Sequence, residues 1–241
     1  MNELLSLKNK NYALSGGTGT LGGSIAEYLV RNGARVLLLG RSVDKLKSKQ
    51  SELNDIVADS TFIFKVDVMN EEELKALKDH IKKEFKHLDG LVNLAGGTVT
   101  PTVILSELMV EQGYGSIINI SSMAAKQSIS RVLGYSMAKG AVDIFTKWMA
   151  NELASKHGDK IRVNAIAPGF FIGNQNRRLL TNEDGSFTER GNSIIKNTPM
   201  GRFGDASELN GMVHYLLSDA SSFVTGSIFD VDGGFSSFSG V

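Results

Sequence analysis

Tyr135 and Lys139 stand four apart in Gly134-Tyr135-Ser136-Met137-Ala138-Lys139, at the start of a long amphipathic stretch. Residues at that spacing share one face of a helix, so the ammonium lies beside the phenol and favours its ionised form. A tyrosine placed in this way can exchange a proton near neutrality, where an isolated phenol holds it too tightly. Spacing alone is weak, because five tyrosines and 26 basic residues in 241 give about 0.5 accidental pairs. Ser122 sharpens the pattern. It ends an apolar run thirteen residues before Tyr135, and requiring a serine there cuts the accidental expectation about tenfold. A hydroxyl, a phenol and an ammonium together can hold a carbonyl oxygen and pass it a proton.

A second constellation lies near the start of the chain. Ser15-Gly16-Gly17-Thr18-Gly19-Thr20-Leu21-Gly22-Gly23 joins an apolar run to an amphipathic one and, read from Gly17, fits G-x-G-x-x-G. Glycines there allow a tight turn and close backbone approach, and the free amides of a helix start attract a pyrophosphate. The plain alternative is a glycine-rich turn with no ligand; the strand before it and the helix after it favour a dinucleotide. The next apolar run ends Leu38-Leu39-Gly40-Arg41 without the acidic residue that would hold the ribose 2′-hydroxyl of NAD. Arg41 can instead pair with a 2′-phosphate, so NADP(H) is favoured and NAD(H) is the alternative.

The elements that must position these residues follow from the hydropathy pattern. Short runs rich in Val, Ile and Leu, near Tyr12–Ser15, Arg35–Gly40, Thr61–Val66, Gly90–Leu94, Ser116–Ser121, Ile161–Ala167 and Ser227–Val231, read as strands. Helical patterns near Gly19–Asn32, Val43–Ala58, Glu71–Phe85, Thr102–Gln112, Gly134–Lys156 and Ala206–Ser218 alternate with them. The α/β class follows: one Rossmann-like, doubly wound parallel sheet of about seven strands with helices on both faces, and ligands at the carboxyl ends of the strands. The whole chain, 1–241, reads as one domain, with 170–199 as a long irregular loop of functional character.

Composition sets the outer limits. With 26 basic and 26 acidic residues, the chain has no excess charge to track nucleic acid. The absence of cysteine excludes disulfides and thiolate chemistry, and His80, His87, His157 and His214 show no metal-ligand spacing, so no metal is assigned. Neither a signal-peptide run nor a stretch of roughly 20 apolar residues occurs, so a cytoplasmic location and no membrane partner are expected.

Taken together, the glycine turn, Asp67-Val68, Asn93-Leu94-Ala95-Gly96, Ser122, Tyr135 with Lys139, Pro168-Gly169 and Asp232-Gly233-Gly234 resemble the short-chain dehydrogenase/reductase family over nearly the whole chain. The resemblance implies that Tyr135 gives or takes the proton of a substrate oxygen, that Lys139 supports it and binds the nicotinamide ribose, and that Ser122 holds the carbonyl. It implies a cofactor-binding set of Gly16, Thr18, Gly19, Thr20, Leu21, Gly22, Arg41, Asp67, Val68, Asn93, Ala95, Gly96, Tyr135, Lys139, Pro168, Gly169 and Ile172. Family members also pair their helices as dimers or tetramers, so a homo-oligomer is expected. The segments Asn164–Phe171, Asn176-Arg177, Leu179–Ser186, Thr188–Gly191 and Thr198–Gly204, with the tail Phe235–Val241, resemble a narrower branch, the short-chain type of D-mannonate oxidoreductases or fructuronate reductases. That branch implies a hexonate substrate, D-fructuronate or D-mannonate. Lys126, Arg131, Arg177, Arg178 and Arg202 are then candidates for its carboxylate, one or two of the five being expected to touch it.

Three departures from the family pattern matter. Thr20 stands where a glycine is commonest, and Gly173 stands where a threonine usually meets the nicotinamide carboxamide, a contact Asn174 could supply. From Gly97 the chain passes directly to Thr98, with a helix and the family's active-site asparagine absent. A segment is therefore expected to belong between 97 and 98, and an intact mass of 26.0 kDa would refute this. The competing functions are reduction of another carbonyl, such as a 3-oxoacyl thioester or a polyol precursor, and a dinucleotide-binding sensor without turnover.

Overall fold

A computed structural model describes residues 3–238; the end of the tail, 239–241, lies outside the described residues. Seven parallel strands form one sheet in the order β3-β2-β1-β4-β5-β6-β7. These are β1 (Asn11–Ser15), β2 (Arg35–Gly40), β3 (Thr61–Lys65), β4 (Gly90–Asn93), β5 (Gly115–Ile120), β6 (Ile161–Pro168) and β7 (Ile228–Val231). The expected class and strand positions are therefore those of the molecule.

Strand side chains alternate between two cores because successive residues point to opposite faces. Leu14, Leu38, Val92, Ile118 and Ile166 pack under α1 (Thr20–Arg31), α2 (Val43–Ile56) and α8 (Asn210–Leu217). Their neighbours Ala13, Leu37, Leu91, Ile117 and Val163 face α3 (Glu71–Glu84), α4 (Val99–Gln112) and α5 (Leu133–His157). The register aligns Ser15 with Asn93 and Asn93 with Asn119, so the carboxyl ends of β1, β4 and β5 finish side by side. Everything that follows those strands opens onto one edge.

Helix starts differ in a way that bears on the site. Ser42 caps α2 by accepting from the Lys45 amide, and Asn70 caps α3 by accepting from those of Glu72 and Glu73. The α1 start, at Gly19, has no side-chain cap, which leaves its amides available to an outside acceptor.

Three elements depart from expectation. α4 begins at Val99 rather than Thr102, because Pro101 falls in the first turn, where a missing amide costs no intrahelical bond. The single helix expected over 206–218 is a 3-10 turn, Ala206–Leu209, closed by an Asp205–Glu208 capping box, followed by α8. The irregular stretch 170–199 contains two short helices, α6 (Arg177–Leu180) and α7 (Glu189–Lys196). The chain makes the β4–β5 crossover with α4 alone, which ends at Gly113 in the left-handed region (φ 83°).

Candidate active site

At the end of β1 the backbone turns so tightly that side chains are excluded. Gly16 has φ +74°, and a Cβ on Gly22 would lie 2.2 Å from the Gly16 carbonyl oxygen. Thr18, Gly19 and Thr20 are exposed on this turn, with Leu21 half-buried behind them. Thr20 thus fits where the family prefers glycine. The Ser15 hydroxyl ties the turn to β4 by accepting from the amides of Leu94 (3.1 Å) and Ala95 (3.2 Å). Gly96, beyond them, is exposed with open space on its Cβ side. Arg41 projects into solvent, its guanidinium 4.0 Å from the Asp67 carboxylate. Asp67 is held by its amide, which donates to Glu73 (2.7 Å), and Val68 is buried beside it. A tight glycine turn, an uncapped helix start and a basic side chain at the end of β2 fit a dinucleotide with its phosphates on α1.

Asn93 is wholly buried in a polar chain that joins four elements. Its amide donates to Thr102 (2.9 Å) and Asn119 (3.0 Å), and the Asn119 amide donates to Thr146 of α5 (3.0 Å). Such a network fixes α4 and α5 against the ends of β4 and β5.

The residues expected to handle the proton are placed around the end of β5. The Lys139 ammonium donates to the Ile120 carbonyl at 2.6 Å and lies 5.7 Å from the centroid of the Tyr135 ring. Burial depresses the Lys139 pKa from its ordinary value, and the nearby Asp143 charge opposes that. Tyr135 is half-exposed, and its hydroxyl makes no hydrogen bond among the described residues. Two residues past Ile120, Ser122 is 9% exposed and its oxygen accepts from the Ala124 amide at 3.2 Å, which leaves its proton free to donate outward.

On the neighbouring strand, Pro168 closes β6 and the Gly169 amide donates to the Val231 carbonyl (3.0 Å). Ile172 is half-buried just beyond. At Gly173 the missing side chain would point toward the Thr20 hydroxyl, 3.4 Å away, while Asn174 is exposed. Sequence reasoning missed Asn176, which fixes this loop by accepting from the Gly173 amide and donating to the Phe171 carbonyl, both at 2.8 Å. Nothing in its type or spacing distinguishes it from the other loop asparagines.

The five candidate carboxylate binders separate into two groups. Lys126 is paired with Asp230 (2.7 Å), and Arg202 makes a two-pronged pair with Glu208 (2.7 and 2.6 Å), whose carboxyl is pulled down to about 2 by that guanidinium. Arg131, in the left-handed region at φ 67°, and Arg177 and Arg178 on α6 are exposed without a carboxylate partner among the described residues. Arg202 also lines a cavity of about 370 Å³ with Phe170, Phe171, Thr198 and Asp232. Neither Ser122 nor Tyr135 lines it.

Comparison with known proteins agrees with this geometry. A short chain dehydrogenase profile matches residues 10–104, and a profile described as enoyl-(acyl carrier protein) reductase matches 97–236. The two meet at the β4–α4 crossover. An uncharacterized oxidoreductase of Bacillus subtilis is 34% identical over 98% of both chains. That alignment runs over 276 positions against the 241 residues here, so at least 35 positions of the relative find no counterpart. A crystal structure from Haemophilus influenzae, provisionally assigned as a D-mannonate oxidoreductase and carrying NAD, superposes with a TM-score of 0.90 at 34% identity over 98% of both chains. A gluconate 5-dehydrogenase from Burkholderia cenocepacia, in complex with NADP and tartrate, gives 0.88 at 27% identity, again over 98% of each. With the glycine turn, the β5 serine and the α5 tyrosine–lysine pair all at the carboxyl edge of one parallel sheet, the chain belongs to the short-chain dehydrogenase/reductase family.

Proposed function

We propose that this oxidoreductase moves a hydride between a nicotinamide dinucleotide and the carbonyl or alcohol carbon of a sugar acid, with D-fructuronate and D-mannonate as the favoured pair. The observation that carries the reading is Lys139, near the Tyr135 ring and drawn to the end of β5 by the carbonyl of Ile120, two residues before Ser122. In the reductive direction Ser122 donates its free proton in a hydrogen bond to the substrate oxygen, and Tyr135 transfers its own proton to that oxygen. Lys139 stabilises the tyrosinate left behind and holds the ribose of the cofactor. The nicotinamide, when bound, supplies the hydride that reaches the carbonyl carbon. Of the five candidate cations, Arg131, Arg177 and Arg178 are exposed without a carboxylate partner among the described residues and are left to receive that of the sugar acid.

Arg41 at the end of β2 favours NADP(H). NAD(H) is a specific second reading, supported by the NAD in the Haemophilus structure. The β4–β5 crossover belongs to the same proposal: a segment is expected between Gly97 and Thr98, and the positions of the Bacillus relative that find no counterpart in this chain support a missing stretch.

The test is oxidation of NADPH or NADH, followed by absorbance with a panel of hexuronates and simple ketones, alongside Tyr135→Phe. D-fructuronate should turn over, and the variant should lose ~10³-fold in kcat while still binding cofactor. Turnover unchanged in Tyr135→Phe, or confined to acyl thioesters, would overturn the reading.

A further inference from the structure

α5 carries a carboxylate that the proposed chemistry does not use. Asp143 lies one turn beyond Lys139 on the same face of the helix, and its Oδ1 is buried without a hydrogen-bond partner. The charged groups around it are few. Lys139 and Lys147 share its helix; Lys126 follows β5, and Asp230 comes from β7. Lys126 and Asp230 are already committed to each other at 2.7 Å, and Lys147 is exposed. No carboxylate of the described residues, Asp143 included, comes within 4 Å of the Lys139 ammonium, and Asp143 is the charge that acts on it across one helical turn. Ser121 completes the surroundings: its hydroxyl donates to the Lys139 carbonyl (3.4 Å), and its presence beside the Asp143 carboxyl favours the ionised form.

We infer that Asp143 is a positioning residue for Lys139, its carboxylate serving as the counter-charge that keeps this buried amine protonated while the amine is drawn to the Ile120 carbonyl. Burial works against both groups, raising the carboxyl of Asp143 and lowering the ammonium of Lys139, and the Asp143 charge offsets the second effect. An isolated ammonium at this depth would shed its proton as the pH rises and lose both its hold on the ribose and its support of the tyrosinate. The sign of the pH dependence follows. At acid pH Lys139 is protonated with or without its neighbour, so removing the carboxylate matters little; as pH rises, the amine without its counter-charge deprotonates first.

The inference rests on the assignment of Lys139 above, and the experiment separates the two. kcat and NADPH affinity are measured against pH in the parent, Asp143→Asn, Asp143→Glu and Lys139→Met. Asp143→Asn should follow the parent at acid pH and lose activity and affinity about one pH unit earlier on the alkaline side. Asp143→Glu, which retains the charge, should restore the alkaline limb toward that of the parent even if the Asn variant is poorly folded. Parallel alkaline limbs in the parent, the Asn variant and the Glu variant, with Lys139→Met inactive, would overturn the inference alone. An unaffected Lys139→Met would overturn the assignment of Lys139 and the inference with it.

Discussion

At the turn after β1 the proposed function rests on the backbone itself, whereas at the start of α5 it rests on side chains. The first region tolerates no added atom, since a Cβ on Gly22 would meet a carbonyl oxygen at 2.2 Å. The second has room: a Cβ on Gly134 or Gly140 would find nothing within 4 Å. A phosphate site built from amides is specified by sterics and therefore by glycine. A proton-transfer site is specified by which atoms face one another, and the helix carrying them needs only the correct face and a fixed end. The two regions meet because β1, β4 and β5 finish in register, with the Ser15 hydroxyl joining the turn to the segment after β4.

The strongest attack on this contrast is Gly22→Ala. Overpacking against backbone that cannot retreat should cost ~3 kcal/mol in chemical denaturation and abolish saturable cofactor binding. Ordinary stability and affinity in that variant would mean that the turn is not steric in origin. Arg41→Ala tests a side chain at the edge of the same region. If the guanidinium meets a 2′-phosphate, NADPH should weaken by about tenfold relative to NADH, an unchanged ratio ruling out that contact. The smallest effect has the opposite sign. Gly140→Ala, in the roomy α5, should raise stability by about 0.5–1 kcal/mol in denaturant titration, because alanine is the better helix former. A loss of stability there would show that α5 is as closely constrained as the turn.

Much of the site was legible before any coordinates. The strands were readable because a sheet buried on both faces needs near-continuous apolar runs, and the proton-handling set because four residues along a helix is a fixed geometry. Helix boundaries were less so. The helix expected from Thr102 begins at Val99 with Pro101 in its first turn, and the two short helices in 170–199 owe their form to tertiary contacts such as Leu180, which is buried, rather than to a long amphipathic repeat.

The amino-acid order by itself determined the parallel α/β fold, the glycine turn and the pairing of Tyr135 with Lys139, since each depends on local periodicity or on a steric requirement met within a few residues. Only the tertiary structure decided which cations are already engaged. Lys126 and Asp230 are 104 positions apart and become partners only because β7 returns beside β6. Spacing along the chain carries no information about such pairs; burial and distance do, and both arise when the sheet is assembled.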